Sequence, residues 1–418
     1  MEKIKGNFDV AVIGGGPSGM MAAGRAAELG KKVVLLEKNE SLGKKLLLTG
    51  KGRCNLTNAE FNLRKLVENY GKNGDFLYHP FSVFGVKEVI DFFEKMGLRT
   101  KIERGNRVFP KSDNSQDVLD VLKKYLVKNS VSIMYNSEIK SIGKEGRKIK
   151  KLILKNGEIE AEKYILCTGG KAFPGTGSTG DGFKFAKDLS HNITDLSPAL
   201  VPIRIKEDFG KELQGLTLKN IGISVFQNRK KQFSEFGECL FAHFGLSGPI
   251  ILEISKKVGG LLKQGEVELF LDLKPALDFE ILDKRVQRDF QKYQKKLFKN
   301  SLDDLLPQKM IPFIIKMSGL EPDRKVDSIT KEERHNLVRL LKGVKMTVAG
   351  LLGFEEAIVT SGGVSLKEID SKTMKSNLID NLFFAGEIID VDGPTGGYNL
   401  QMCWSTGRLA GESAAKLS

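Results

Sequence analysis

Cysteine is scarce and scattered. Only Cys54, Cys167, Cys239 and Cys403 occur in 418 residues, and no two make a C-x-x-C pair. A zinc ribbon, a thioredoxin-type dithiol and a C-x4-C redox disulfide are therefore unsupported, and a reducing compartment is expected. Long apolar runs are missing too: no stretch reaches the ~18 residues of a membrane span. The first apolar run, Val10 to Ile13, follows Asp9 and enters glycines, so it does not read as a signal-peptide core. A cytoplasmic location and no membrane partner are the expectations. Histidine is limited to His79, His191, His243 and His335. No HExxH, Ser-His-Asp order or carboxylate pair accompanies them, so no metal ligand and no catalytic acid or base is assigned. Each histidine reads as a packed or hydrogen-bonded residue.

What is present describes a folded chain. Hydrophobic residues make up 40% and charged residues 28%, which excludes disorder as the dominant state. The length suits two or three domains. Lys+Arg 66 against Asp+Glu 52 gives +14, with the lysines spread through the chain. That balance fits a solvated basic surface better than a polyanion site, although it permits either. Glycine is in excess: 45 of 418 residues, about 11% against an average near ~7%. The glycines cluster between apolar runs, where backbone turns sharply or approaches something closely.

Phe8 to Ile13 reads as a buried strand, 17 to 29 as a helix stopped by Gly30, and Val33 to Leu36 as a second strand. Together they form one βαβ unit. Lys150 to Tyr164 reads as a hairpin turning at Asn156-Gly157. Tyr164 to Cys167 is another buried strand, and Leu382 to Ala385 a further one followed by a helix from about Leu400 to Ala415. Nucleotide-fold strands at both ends imply that the middle is an insertion. Strand-like runs fill 196–275, including Gly222 to Phe226 and Val267 to Leu271. A helical pattern over 278–300 carries Leu282, Val286, Phe290, Tyr293 and Leu297 opposite Lys284, Arg288, Lys292, Lys295 and Lys299. The expected fold class is α/β: a Rossmann-type domain from 1–195 and 345–418, a β-barrel-like domain at 196–275 (with 345–365 as a candidate addition), and a small helical domain at 276–344.

Gly14-Gly15-Gly16-Pro17-Ser18-Gly19 fits G-x-G-x-x-G between that first strand and helix. Gly14 permits the tight turn, Gly16 a close approach to pyrophosphate, and Gly19 close helix–strand packing. Glu37 ends the next strand, where a ribose hydroxyl would be bound, and its charge disfavours a 2′-phosphate. NAD and FAD both remain open on that evidence. A second match, Gly175 to Gly180, follows Lys171-Ala172-Phe173-Pro174, which is no strand; it reads as a loop over cofactor or substrate. Phe384-Ala385-Gly386-Glu387 and the loop Gly393 to Leu400 favour the longer cofactor. Glu387 can take a ribityl hydroxyl, and a second helix N-terminus can face the flavin.

These segments, with Leu48 to Asn58, Arg107-Val108-Phe109-Pro110 and Cys167-Thr168-Gly169-Gly170, resemble the BaiN/YhiN-type bacterial flavoproteins over nearly the whole chain. The resemblance implies FAD on a Rossmann-type domain built from both chain ends, with a barrel-like and a helical insertion. It assigns Gly14, Gly16, Ser18 and Gly19 to the pyrophosphate, Glu37 and Lys38 to the adenosine ribose, and Ile139 to the adenine. Thr168 and Gly169 would pass the middle of the cofactor. Gly386 and Glu387 would meet the ribityl chain, and Gly397, Tyr398, Asn399 and Leu400 the isoalloxazine. Thr49, Gly50, Arg53 and Asn55 would line a loop near the flavin. Lys51 departs from the small residue common in that loop.

The expected activity is hydride transfer between flavin N5 and a small organic substrate. A C=C reductase fed by NAD(P)H and an amine oxidase using O2 both fit, with NAD(P)H as a transient donor in the first. An RNA-associated flavoprotein using the basic helix, and a flavin-binding protein without turnover, are the alternatives from other classes.

Overall fold

The computed structural model describes residues 7–417, and they form two compact units. One runs to Pro198 and resumes at Ala357; the other spans Ala199–Glu356.

The first unit is built on a five-stranded, all-parallel sheet. Its order is Leu382–Phe384, Ala161–Leu166, Phe8–Ile13, Val33–Leu36 and Ser132–Met134. Strands covered on both faces read as unbroken apolar runs, and Val33–Leu36 is buried at every position. Helix Pro17–Glu28 has Pro17 in its first turn, where a missing N–H costs nothing. It packs on the C-terminal helix Tyr398–Lys416. Gly411 makes this close: a Cβ there would sit 2.3 Å from the Ala22 carbonyl oxygen. Trp404 is fully buried in this layer and donates from Nε1 to the Leu56 carbonyl at 2.9 Å. The sequence-predicted hairpin forms with its turn one residue earlier than expected. Leu154 pairs with Gly157, so Lys155 and Asn156 make the turn and Gly157 starts the return strand.

The second unit is a closed six-stranded barrel in the order Ile203–Ile205, Gly245–Ser247, Lys230–Ala242, Thr217–Gln227, Val267–Asp272 and Val344–Leu351. Helices Phe279–Lys292, Ile311–Ser318 and Lys331–Lys342 share its core, with Leu282, Ile314 and Val338 in one cluster with Leu271 and Met346. Helical and β segments thus merge into a single unit here. Val344–Leu351 closes the barrel, which moves the expected boundary from 345 to Glu356. The basic helix stops at Lys292 rather than 300, capped at its start by Asp278. Part of its charge is neutralised internally: Arg285 pairs with Asp289 at 2.8 Å and Lys292 with Asp304 at 2.7 Å.

Candidate functional site

A long cleft of about 1280 Å³, open to solvent at its mouth, crosses the carboxyl ends of the parallel strands in the first unit. Open α/β sheets bind ligands at this edge. The strand end Ile13 and the turn Gly14–Ser18 form its floor. Gly14 sits at φ +105°, and a Cβ on it would lie 2.5 Å from the Cys167 carbonyl oxygen. Gly16 faces open space, with no atom within 4 Å of the Cβ direction. No side chain caps the helix that starts here. Its first N–H groups and positive dipole end are left for an anion.

Glu37 holds one end of the cleft. Its carboxylate is buried and accepts from Gly15 N at 2.8 Å, Asn39 N at 2.8 Å and Asn39 Nδ2 at 2.7 Å. A carboxylate has about four acceptor sites, so one remains for a hydroxyl donor. Lys38 is engaged elsewhere: its ammonium donates to Thr179 Oγ1 and Asp181 Oδ2, both at 2.6 Å. Asn39 Nδ2 also donates to the Thr176 carbonyl at 3.2 Å. These bonds fasten the segment 174–181 along the cleft, which Thr176, Gly177, Ser178 and Asp181 line. The second glycine motif is therefore a loop, as its missing strand implied. Ile139 lies at the same end.

The other end is drawn from the distant C-terminal region. Glu387 accepts from Lys45 Nζ at 2.8 Å and Thr360 N at 2.7 Å. Asn399 and Leu400, in the first turn of the C-terminal helix, also line the cleft, and that helix start has no side-chain cap. Thr49, Thr168 and Gly169 also line the cleft. Three buried side-chain polar atoms lack a partner among the described residues: Asn55 Oδ1, Thr168 Oγ1 and His191 Nδ1. Buried polar atoms are rarely left so. Two of the three belong to residues expected at a cofactor, and Thr168 lines the cleft. Two uncapped helix starts, two acidic residues and an unpartnered hydroxyl along one groove suit a dinucleotide.

Comparison with known proteins decides the family, because a profile of the HI0933-like protein Rossmann domain matches residues 8–413. The chain belongs to the HI0933-like family. A 3-dehydro-bile acid delta(4,6)-reductase of Clostridium scindens is 31% identical over 97% of this chain and 99% of that protein. A ribosomal RNA dihydrouridine synthase of Escherichia coli is 29% identical over 96% of each. Among solved structures, a 3-ketosteroid-delta4-(5alpha)-dehydrogenase of Rhodococcus jostii RHA1 shares the fold with a TM-score of 0.56 at 14% identity, covering 100% of this chain and 98% of that one. This HI0933-like chain is an FAD-dependent oxidoreductase by family.

Not every expected residue of this family member reaches the cleft. Gly19 serves packing: a Cβ there would come within 1.8 Å of the Gly14 carbonyl oxygen. Gly386 is pressed against Ser18, and Gly397 against the Thr57 backbone at 2.3 Å. Tyr398 turns to Tyr70, whose hydroxyl donates to the Tyr398 carbonyl at 2.7 Å. Gly50 packs near Asn55 and Phe109 in a loop where Gly50, Lys51, Gly52 and Cys54 all have positive φ. Asn55 itself lies off the cleft, half-buried beside Gly50. Arg53 stacks on Phe109, pairs with Glu103 at 2.5 Å and bonds Asp113. That ion cluster braces the loop, and Arg53 is not among the residues that line the cleft. Burial pushes the Cys54 and Cys403 thiols up to about 12, so neither supplies a thiolate near neutrality. None of the four histidines lines the cleft; burial pushes His191 down, and its ring stacks edge-on against Phe384. Sequence reasoning missed Lys45, Asn39 and Thr360. Asn39 follows the Glu37 motif closely enough to have been found, whereas the Lys45–Glu387 pair spans 342 positions and leaves no local signal.

Proposed function

We propose that this protein reduces a carbon–carbon double bond conjugated with a carbonyl, with FAD held in the cleft and a reduced nicotinamide dinucleotide as transient donor. The observation that carries the cofactor reading is the continuous line of groups from Glu37 through Gly14–Ser18 and Thr168 to Glu387 and the C-terminal helix start. The relatives' names guide the reaction. A delta(4,6)-reductase of a 3-dehydro compound and a dihydrouridine synthase both saturate a double bond beside a carbonyl.

In this reading Gly14, Gly16, Ser18 and the helix start take the pyrophosphate. Glu37 accepts from a ribose hydroxyl, Ile139 packs on the adenine, and Thr168 Oγ1 with Gly169 meets the middle of the cofactor. Glu387, paired with Lys45, accepts from the ribityl chain. Thr49 borders the flavin end, where the backbone N–H groups of Asn399 and Leu400 stabilise negative charge at N1 and O2. When bound, the flavin supplies hydride at N5. Cys403 stays protonated at neutral pH and adds no charge there.

Purified protein should be yellow and release FAD on denaturation. NADH or NADPH should bleach it anaerobically, and an α,β-unsaturated ketone or a uracil nucleoside should restore the colour. Colourless protein that fails to take up FAD would sink the cofactor reading. Bleaching by amines, with no response to either nicotinamide, would replace the reductase with an oxidase. The Escherichia coli relative and the +14 charge favour one second reading, in which the reduced ring belongs to RNA. RNA that binds no more tightly at 50 mM than at 200 mM salt would remove it.

A further inference from the structure

The barrel unit has a cleft of its own, about 650 Å³ including its open mouth. Strand Thr217–Gln227 forms one wall. Gly222 lies opposite Asp272 in the neighbouring strand, so residues 273 and 274 continue alongside Ile221 and the positions before it. Between Leu218 and Ile221 the register slips by one residue, with Asn220 at φ +55°. Bulges of this kind re-aim side chains and cluster at functional sites. Here the bulge sets Lys219 on the cleft, where Lys274 also lies. Leu218, Ile221, Leu273 and Leu306 supply an apolar lining.

Lys274 is the unusual member. It is half-buried, yet its ammonium forms no salt bridge among the described residues. Its nearby charge is a like one, Arg285, which is itself paired with Asp289. Desolvation and that repulsion hold the ammonium below the ordinary lysine range. The neighbouring Lys342, by contrast, pairs with Asp272 at 2.7 Å and donates to the carbonyls of Lys274 and Leu277. Lys219 is exposed and likewise without an ion pair among the described residues. A half-buried ammonium without a counter-charge bears part of its desolvation cost uncompensated.

We propose that this cleft binds the acidic group of an amphipathic small molecule, with Lys274 and Lys219 meeting a carboxylate, sulfonate or phosphate and the leucine-rich wall covering its apolar body. The lining is aliphatic, and stacking platforms for bases are absent from it. It therefore suits an alicyclic or aliphatic anion better than a nucleic-acid strand. The inference does not depend on the reaction proposed above.

The test uses the full chain saturated with FAD, so that the nucleotide cleft is filled, and 1-anilinonaphthalene-8-sulfonate as the probe. N-phenyl-1-naphthylamine, of similar shape without the sulfonate, is the neutral control. Fluorescence titration should show saturable binding of the anionic probe. Lys274→Met, which keeps the apolar stem, should weaken it about tenfold, as for a charge-assisted hydrogen bond. Lys274→Arg should restore most of that loss, and the neutral probe should change little in either variant. Lys219→Met, at an exposed site, should cost about threefold. If Lys274→Met does not fold, Lys219→Met decides alone. The proposal is overturned by absence of saturable binding, by equal binding to wild type and both methionine variants, or by equal loss of the neutral probe.

Discussion

The two clefts use different materials. The long cleft in the first unit presents backbone: glycine turns, two helix starts and the N–H groups they expose. Two of its cations are already matched, Lys38 with Asp181 and Lys45 with Glu387. The barrel cleft presents side chains: leucines, an isoleucine and two lysines without ion pairs among the described residues. A backbone-lined groove tolerates little change in chain path: at Gly14 an added carbon collides with main chain, and at Gly15, Gly43 and Gly177 it comes within 3 Å of a side chain. A side-chain-lined cleft can be retuned residue by residue. That difference separates the part of the molecule that holds a fixed cofactor from a part free to vary its ligand.

The harshest test of the contrast is Gly14→Ala. The new Cβ meets the Cys167 carbonyl at 2.5 Å, and the residue is held at φ +105°. Left-handed strain of about 1–2 kcal/mol adds to a main-chain clash, for a total of about 3 kcal/mol or more. The variant should lose FAD on gel filtration and unfold at markedly lower urea. Retention of both properties would show that the turn is not rigid. In the barrel unit, Asp283→Asn removes the charge that accepts from Arg334 Nε at 2.7 Å and sets an amide NH2 against a donor, Gln287 Nε2 or Arg334 Nε. It should cost about 2 kcal/mol while leaving the flavin spectrum unchanged.

Asp283 also sets a pH dependence. The hydrogen bond from Arg334 holds its carboxyl below the ordinary aspartate value despite desolvation. Its folded pKa is thus lower than its unfolded one. The stabilisation is present above the unfolded pKa and fades as pH falls toward the folded value. Urea midpoints measured from pH 6 to pH 3 should fall less steeply in Asp283→Asn than in wild type. Equal slopes would assign the acid sensitivity to other carboxylates.

The same contrast explains how much could be read from the sequence. A backbone-lined site must write itself in glycine, so Gly14, Gly16 and the second glycine cluster stood out, as did the flanking strands with their unbroken apolar runs. Glycine alone did not separate roles. Gly16 faces the groove, while Gly19, Gly386 and Gly397 hold elements together, and only coordinates distinguish the two. The ion cluster that Arg53 forms was not legible, because its partners, Glu103 and Asp113, are 50 and 60 positions away. The barrel was legible as alternating strands, but the merging of its helices into one core was not. The packing of Leu282 and Val338 against barrel residues depends on long-range contacts that periodicity does not encode.

Two smaller effects probe how the cofactor is retained. Lys38→Met removes the bonds to Thr179 and Asp181 and should free the 174–181 segment from the cleft. FAD release, followed by stopped-flow capture with an apo-flavoprotein scavenger, should accelerate about tenfold, the loss expected for a charge-assisted bond. The melting temperature of the FAD-free protein should move little, since the ion pair is partly exposed. An unchanged release rate would mean that the segment does not retain the cofactor.

Thr168→Val is the gentlest and carries opposite signs. The hydroxyl is buried and finds no protein partner, so valine of nearly the same shape removes a desolvated polar atom. FAD-free protein should therefore be more stable by up to about 1 kcal/mol, whereas FAD affinity should fall about fivefold as one bond to the cofactor is lost. Paired thermal melts with and without FAD measure both quantities on one sample. A purely structural threonine would shift both melts together and leave the affinity untouched. Divergence of the two melts, with the FAD-free protein rising while the loaded protein does not, is the signature of a hydroxyl kept for a ligand at some expense to the fold.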